Sequence, residues 1–265
     1  MKLGFIGGGL MGEAILAGAV EKQIAGGADV AVCEIVPARR DHLSQKYGVS
    51  ASDTPDEALG AEIVLLAVKP QEFAKAAAPL AGRLNSHQTL LSIMAGVGIE
   101  SIRNTMGHDA VARAIPNTAA QVGESMTVWT ASPQVSDEAR KVVQSILAVL
   151  GQELYVSDEK YVDMATAVSA SGPAYVFLVM EAMIDAAVHI GLRRDVAEQL
   201  VKQTLFGSAL YARESGRHPA LLRNEVTSPG GTTAEALRVL EEAAVRAAFT
   251  DAIEAAYEKA KALGG

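Results

Sequence analysis

Leu3-Gly4-Phe5-Ile6-Gly7-Gly8-Gly9-Leu10-Met11-Gly12 is the stretch that decides the fold. A short apolar run leads into a GxGxxG pattern, and helical periodicity follows over residues 10–22. In a strand–turn–helix each glycine has its own task. Gly7 permits the tight turn, Gly9 has no side chain to hold a pyrophosphate off the backbone, and Gly12 lets the helix pack close to the strand. Phosphates would rest on free N–H groups at the helix N-terminus, where the dipole favours negative charge. The alternative is a glycine-rich turn without a ligand, and the strand-loop-helix setting weighs against it.

Outward from this unit, short β-branched runs alternate with helical patterns. Strands are expected at 3–6, 29–34, 63–68, 89–93, 110–115 and 152–156, and helices at 10–22 and 37–47. Thr54-Pro55-Asp56-Glu57 has the grammar of a helix start, with Thr as cap, Pro in the first turn and Glu three residues after the Thr. The continuous apolar run 63–68 suits a strand covered on both faces. Such alternation implies βαβ units, a mostly parallel sheet, and helices on both sides of it. From about Ser157 helical periodicity takes over, at 173–190 with Gly191 as its stop, at 194–214, and at 235–262. The expected fold class is therefore α/β, a Rossmann-type dinucleotide-binding domain at 1–156 followed by an all-α domain at 157–265. The helix at 173–190 is too apolar to lie bare, so a dimer built on the helical half is expected.

Composition narrows the function. The chain has 265 residues, 49% of them hydrophobic and 20% charged, enough for a proper core. A net charge of -8 repels phosphate backbones, so nucleic acid is not the expected partner. The single cysteine, Cys33, excludes an intrachain disulfide, and the five histidines show no ligand spacing, so no metal is expected. No apolar stretch reaches about 18 residues without a charge or a proline, so no membrane partner is expected. The opening residues lack the features of a signal peptide, and a cytoplasmic location follows as an expectation.

Several residues then stand out. Glu34 ends the second strand, where an acidic side chain accepts hydrogen bonds from the adenosine ribose and favours NAD. Arg39 and Arg40 follow it, either to meet a 2′-phosphate or as ordinary helix residues. Ala67-Val68-Lys69-Pro70 follows the third long apolar run, and Lys69 is either a phosphate or ribose contact or a plain surface lysine. Ser92-Ile93-Met94-Ala95-Gly96 and Ile115-Pro116-Asn117-Thr118 end strands on the same edge, with room for a nicotinamide. Asn117 is a hydrogen-bonding group for that ring or the substrate, or else a turn residue. In the helical half, Thr227-Ser228-Pro229-Gly230-Gly231-Thr232-Thr233 breaks one helix, and the threonine pair is expected to cap the next. Consecutive N–H groups at such a break form a cradle for a carboxylate. Ser169-Ala170-Ser171-Gly172-Pro173 reads as a similar break, with Ser171 a cap or a ligand contact. Glu159 and Asp163 share a helix face, and solvation is the default for Asp163.

Five segments, GFIGGGLMGEAI, LLAVKPQ, RAIPNT, VSASGPAY and VTSPGGTT, occur in that order over essentially the whole chain, which resembles pyrroline-5-carboxylate reductase. SGPAY and SPGGTT are the more specific elements, because GxGxxG is shared with many dehydrogenases. The resemblance implies a Rossmann domain, a helical domain interlocked with its twin in a dimer, and further assembly, commonly into decamers. It implies that residues 6–11 (Ile6, Gly7, Gly8, Gly9, Leu10, Met11) and 67–70 contact NADPH or NADH, with Thr54 near the nucleotide and Met94, Ala95 and Gly96 near the nicotinamide ribose. It places Thr232 and Thr233 on the substrate carboxylate and ring nitrogen, and Glu159 on the substrate. Where the family often shows an Asn-Arg pair for a 2′-phosphate, this chain has Glu34-Ile35.

The implied reaction is hydride transfer to the C=N carbon of 1-pyrroline-5-carboxylate, giving L-proline. Thr233 is the expected catalytic residue, hydrogen-bonded to the ring nitrogen. A β-hydroxyacid dehydrogenase of 6-phosphogluconate type shares the opening motif, but it needs a lysine on the first long helix of the second domain. None occurs between Tyr161 and Val201. A noncatalytic NAD(P)H sensor is the third reading, and it has no need of SPGGTT.

Overall fold

A computed structural model describes residues 2–264. Eight strands run β1 (Leu3–Ile6), β2 (Val30–Cys33), β3 (Ser50–Ser52), β4 (Ile63–Leu66), β5 (Thr89–Ser92), β6 (Val111–Ile115), β7 (Ser125–Ala131) and β8 (Gly151–Tyr155). The helices in the same span are α1 (Leu10–Glu21), α2 (Pro37–Tyr47), α3 (Phe73–Ala77), α4 (Ile99–Met106), α5 (Asp137–Leu147) and α6 (Lys160–Ala165). They are followed by α7 (Gly172–His189), α8 (Arg194–Ser215), α9 (Pro219–Glu225), α10 (Thr232–Glu242) and α11 (Val245–Gly264). The strands form one sheet in the order β3-β2-β1-β4-β5-β6-β7-β8. Every pairing is parallel except β6 with β7.

Strand alternation builds two cores. Leu3, Phe5, Ile63 and Leu65 point to the side covered by Ile15 and Leu16 of α1, Leu43 of α2 and Ile146 of α5. Ile6, Val64, Leu66 and Leu90 point to the other side, against Phe73 of α3 and Ile102 and Met106 of α4. Burial on both faces explains why β4 is an unbroken apolar run, and β5, Thr89–Ser92, is buried throughout as well. The chain order reverses direction across the sheet between β1 and β4, and such a switch point leaves a crevice at the strand ends.

By contacts the chain divides into two compact units, one reaching to Gly172 and rejoined from Ala255 onward, the other Pro173–Glu254. In the second, Ile184 of α7 packs on Ala197 and Val201 of α8. Much of the remaining apolar surface of α7 is bare in the single chain, with Phe177 60% and Leu178 66% exposed.

The structure corrects several expectations. Thr54-Pro55-Asp56-Glu57 opens no α-helix, only a short 3-10 turn at Ala58–Gly60. The Thr54 hydroxyl is spent on Asp56 and the Glu57 carboxylate on the Ser50 hydroxyl, so no capping box forms. Thr232 and Thr233 do not cap α10. Gly231 holds the cap position with extended backbone, and the threonines are the first two helical residues. Ser171 ends an element instead of opening one, as the C-cap of a π-helical turn at Thr166–Ala170, where its N–H bonds the Thr166 carbonyl at 2.9 Å. The run expected at 235–262 is interrupted at Ala243–Ala244, where Ala244 takes φ 55°. Finally, residues 160–189 are long and apolar enough, by length and composition, to cross a membrane. No stretch of 18 residues within it is free of a charge or a proline, and it passes on average because isolated charges such as Glu181 and Asp185 do little to the hydropathy of so apolar a run.

Candidate functional site

The glycine turn leaves β1 at the switch point. Gly7 has φ 103°, and a Cβ there would lie 2.7 Å from the Ala67 carbonyl oxygen at the end of β4. A Cβ on Gly12 would lie 2.7 Å from the Gly7 carbonyl oxygen, so α1 approaches the turn as closely as only glycine allows. Gly8, which the sequence pattern leaves undetermined, faces a side chain instead of backbone, for its Cβ would lie 2.6 Å from a methyl of Leu43. Gly9 differs, with nothing within 4 Å of a Cβ. It is also the N-cap of α1, and no side chain caps the helix. An open face over uncapped N–H groups is what a pyrophosphate needs.

Beside this turn lies a cavity of about 400 Å³, lined among others by Gly9, Glu34, Asp53, Val68 and Lys69. Glu34 is 9% exposed. Its Oε2 accepts the Gly8 N–H and its Oε1 the Val36 N–H, both at 2.8 Å. Arg39 donates to the Gly8 carbonyl through Nη2 at 2.5 Å and Nε at 3.1 Å, and pairs with Glu13 at 2.7 Å. The Gly8 peptide is thus held at both ends, its N–H by Glu34 and its carbonyl by Arg39. Arg40 donates to the carbonyls of Glu34 and Ile35. Thr54 is exposed, and its neighbours Asp53 and Pro55 line the cavity in its place. Burial first, and then the charges of Glu34 and Asp53, push the Cys33 thiol up from its ordinary value.

Along the strand edge, Met94 is buried, and its N–H reaches the Ser92 hydroxyl at 3.3 Å. Gly96 turns the chain with φ 73°. Asn117 caps the short helix Thr118–Val122 by accepting the Ala119 N–H, and its Nδ2 donates to the Ser169 carbonyl and hydroxyl at 3.3 Å. It is a turn residue that also ties the strand edge to the π-helical turn. Glu159 accepts from Arg113 at 2.7 Å and from the Ile99 N–H, at the start of α4, at 2.8 Å. Asp163 takes the other arm of Arg113 at 2.6 Å. Sequence reasoning missed Arg113 and Ser169. The signal for Arg113 was legible, since a charge inside the apolar strand VARAI must find buried partners.

In the second unit, Gly230 has φ 69°, and the Gly231 N–H bonds the Ser228 carbonyl at 3.1 Å. No side chain caps α10, so the N–H groups of Thr232, Thr233 and Ala234 stay open for an anion. Among the described residues no group of three or more His, Cys, Asp or Glu side chains could hold a metal.

These residues fit a dinucleotide at the first site: an approachable backbone at Gly9, uncapped N–H groups, and an acidic side chain at the β2 end of the cavity. The chain is similar to known proteins over its whole length. Residues 159–263 match the family model for pyrroline-5-carboxylate reductase dimerisation, and residues 2–96 match that for NADP oxidoreductase, coenzyme F420-dependent. The pyrroline-5-carboxylate reductase of Synechocystis sp. is 40% identical over 265 residues, covering 100% of this chain and 98% of its own. That of Escherichia coli is 39% identical over 264 residues, covering 99% and 98%. The solved enzyme of Coxiella burnetii superposes with a TM-score of 0.90 at 33% identity, over 100% of this chain and 98% of that one. The Plasmodium falciparum pyrroline carboxylate reductase, solved with NADP bound, gives a TM-score of 0.90 at 31% identity, over 100% and 98%.

Proposed function

Because the chain belongs to the pyrroline-5-carboxylate reductase family, we propose that it reduces 1-pyrroline-5-carboxylate to L-proline with NAD(P)H, using the glycine turn for the dinucleotide and the α10 N-terminus for the substrate. The observation that carries the reading is the conjunction of full-length similarity with a turn in which Gly9 alone is open and α1 is uncapped. Neither the β-hydroxyacid dehydrogenase nor the sensor reading gains support from the relatives.

When bound, the nicotinamide supplies the hydride. The chain's own residues bind and orient. Residues 6–12 and 67–70, with Lys69, hold the pyrophosphate and its ribose, and Glu34 takes the adenosine ribose. Met94, Ala95 and Gly96 would leave room for the nicotinamide, and the Asn117 segment would flank it. The open N–H groups at Thr232 and Thr233, with Gly230 and Gly231 shaping the turn, receive the substrate carboxylate, a favourable pairing with the positive helix end of about 0.3–1 kcal/mol. The Thr233 hydroxyl then hydrogen-bonds the ring nitrogen. As hydride adds to the carbon of the protonated C=N group, that nitrogen becomes a neutral secondary amine, and no strong acid is needed. Ser171 and Glu159 complete the substrate side. For Glu159 the role is indirect, since its bonds to Arg113 and Ile99 hold the start of α4.

The helical domain at 157–265 carries the dimerisation, and the bare apolar faces of α7 support a homodimer, with a decamer as the further assembly. The acidic balance and lone Cys33 support a cytoplasmic location without nucleic-acid partners, and the dimer face accounts for the apolarity of residues 160–189 without a membrane. The test follows loss of NADH or NADPH absorbance when pyrroline-5-carboxylate is added. Consumption of either cofactor is expected, and Thr233→Ala should lower kcat/KM by about 10²-fold, the low end of the range for one general acid–base contact. No oxidation of either cofactor would remove the reductase reading.

A further inference from the structure

At the β2 end of the cavity the chain departs from its family resemblance, and the side chains there settle into a specific arrangement. Resting on the reductase reading, we propose that this chain selects a dinucleotide with a free adenosine 2′-hydroxyl, NADH, over its 2′-phosphorylated counterpart, and that Glu34 is the selecting residue.

Glu34 follows β2, where the ribose of a dinucleotide on a Rossmann turn comes to lie. Its carboxylate is fixed by the N–H groups of Gly8 and Val36, each at 2.8 Å. Swinging away to admit a phosphate would leave both amides without an acceptor, so the charge stays where it is. Each carboxylate oxygen has a second lone pair, which a ribose hydroxyl can use and a phosphate cannot.

The nearby arginines offset this charge only in part, because their donors are already engaged. Arg39 is committed to the Gly8 carbonyl and to Glu13, and Arg40 to the carbonyls of Glu34 and Ile35, with its guanidinium 3.9 Å from Asp53. Asp53 lines the same cavity and adds a second negative charge. The raised Cys33 thiol, next to Glu34 in the chain, registers the same negative field after the effect of burial. Lys69, Glu72 and Lys75 also line the cavity, but they follow β4. That strand is separated from β2 by β1, two strand spacings or about 10 Å away. Those lysines suit the pyrophosphate or the adenine side, not a group on the ribose edge at Glu34. A 2′-phosphate carries about −1.5 to −2 charges and would meet the Glu34 carboxylate directly, with Asp53 beside it and Arg40 engaged with Asp53 and backbone carbonyls.

Titration of the full chain with NADH and with NADPH, substrate absent and nicotinamide fluorescence as readout, tests the proposal. NADH should bind at least about tenfold tighter, the discrimination expected of one close like-charge contact. Glu34→Gln and Glu34→Ser should narrow the ratio mainly by strengthening NADPH. Because Glu34 also braces the turn, Asp53→Asn, outside that brace, provides a second arm and should narrow the ratio less. NADPH binding as tightly as NADH would overturn the selection while leaving the reductase reading intact. A ratio unmoved in both the Glu34 and Asp53 variants would remove these carboxylates as its cause. Binding of neither nucleotide would overturn the reductase reading and this inference together.

Discussion

Glu13, immediately after the glycine turn, accepts from Arg39 at 2.7 Å, His42 at 2.8 Å, Tyr47 at 2.9 Å and Lys46 at 3.3 Å. Burial raises its carboxyl, but the hydrogen bonds from His42, Arg39, Tyr47 and Lys46 outweigh burial and bring it down to about 2. The folded value lies below the unfolded one, so its contribution is full above the ordinary carboxylate range and fades as pH falls from about 4.5 toward about 2. Glu13→Gln should cost about 1–2 kcal/mol at neutral pH, and the gap from wild type in denaturant melts should close in acid. A gap of the same size at both ends of that range would contradict the assignment. Gly9 and Gly12 separate folding from binding at the same scale. Gly9→Ala adds a Cβ with nothing within 4 Å, so stability should stay within about 0.5 kcal/mol while dinucleotide affinity falls roughly tenfold or more. Gly12→Ala should lose both, since its Cβ meets the Gly7 carbonyl oxygen at 2.7 Å. Equal melting curves with equal affinity for Gly9→Ala would remove Gly9 from the phosphate site.

At the scale of elements, Arg113 joins β6 to α6 and, through Glu159, to the first turn of α4. Its side chain is 3% exposed, whereas Glu159 and Asp163 keep 33% and 26%. Nε of Arg113 has no partner, so the two ion pairs carry its desolvation. Arg113→Met should cost about 2–3 kcal/mol, below the range for a fully buried pair because both carboxylates can return to water. Chemical denaturation measures this, and a loss under about 0.5 kcal/mol would show that the clamp carries no stability. The same clamp was half legible beforehand. Glu159 and Asp163 stood out on one helix face, but their partner lies on a strand some fifty residues earlier, and no local spacing reveals such a pairing. β7 escaped notice for a related reason. Its polar residues Ser125, Thr127 and Thr130 are buried beside Val128 and Trp129, so it lacks the apolar run that marks β4.

For the whole molecule, the bare apolar face of α7 is the feature a single chain does not resolve. Phe177 at 60% and Leu178 at 66% exposure would each lose hydrophobic stabilisation in water, of about 1.5–3 kcal/mol per fully covered side chain. Phe177→Glu should shift sedimentation toward the monomer and lower Tm. Wild-type Tm should rise with protein concentration, as an assembly linked to folding requires. A wild-type Tm independent of concentration, with a monomeric sedimentation profile, would exclude this face as the dimer contact.

Local sequence determined what depends on local chemistry. Gly7, Gly9 and Gly12 announced a phosphate turn, because Gly7 takes a positive φ, Gly12 packs on the Gly7 carbonyl and a bare Gly9 leaves the backbone open to a ligand. The apolar run of β4 announced a sheet covered on both faces, and Pro173 and Gly191 bracketed α7. Tertiary structure decided what depends on partners distant in sequence. It took Thr54 and Glu57 away from a helix cap by offering them Asp56 and Ser50, and it moved the cap of α10 from the threonines to Gly231. It also locked Arg39 and Arg40 onto backbone carbonyls and turned Glu34 into a fixed charge at the cavity. A side chain's hydrogen-bonding capacity is written in its chemistry, but which partner claims it is settled only when the chain has folded.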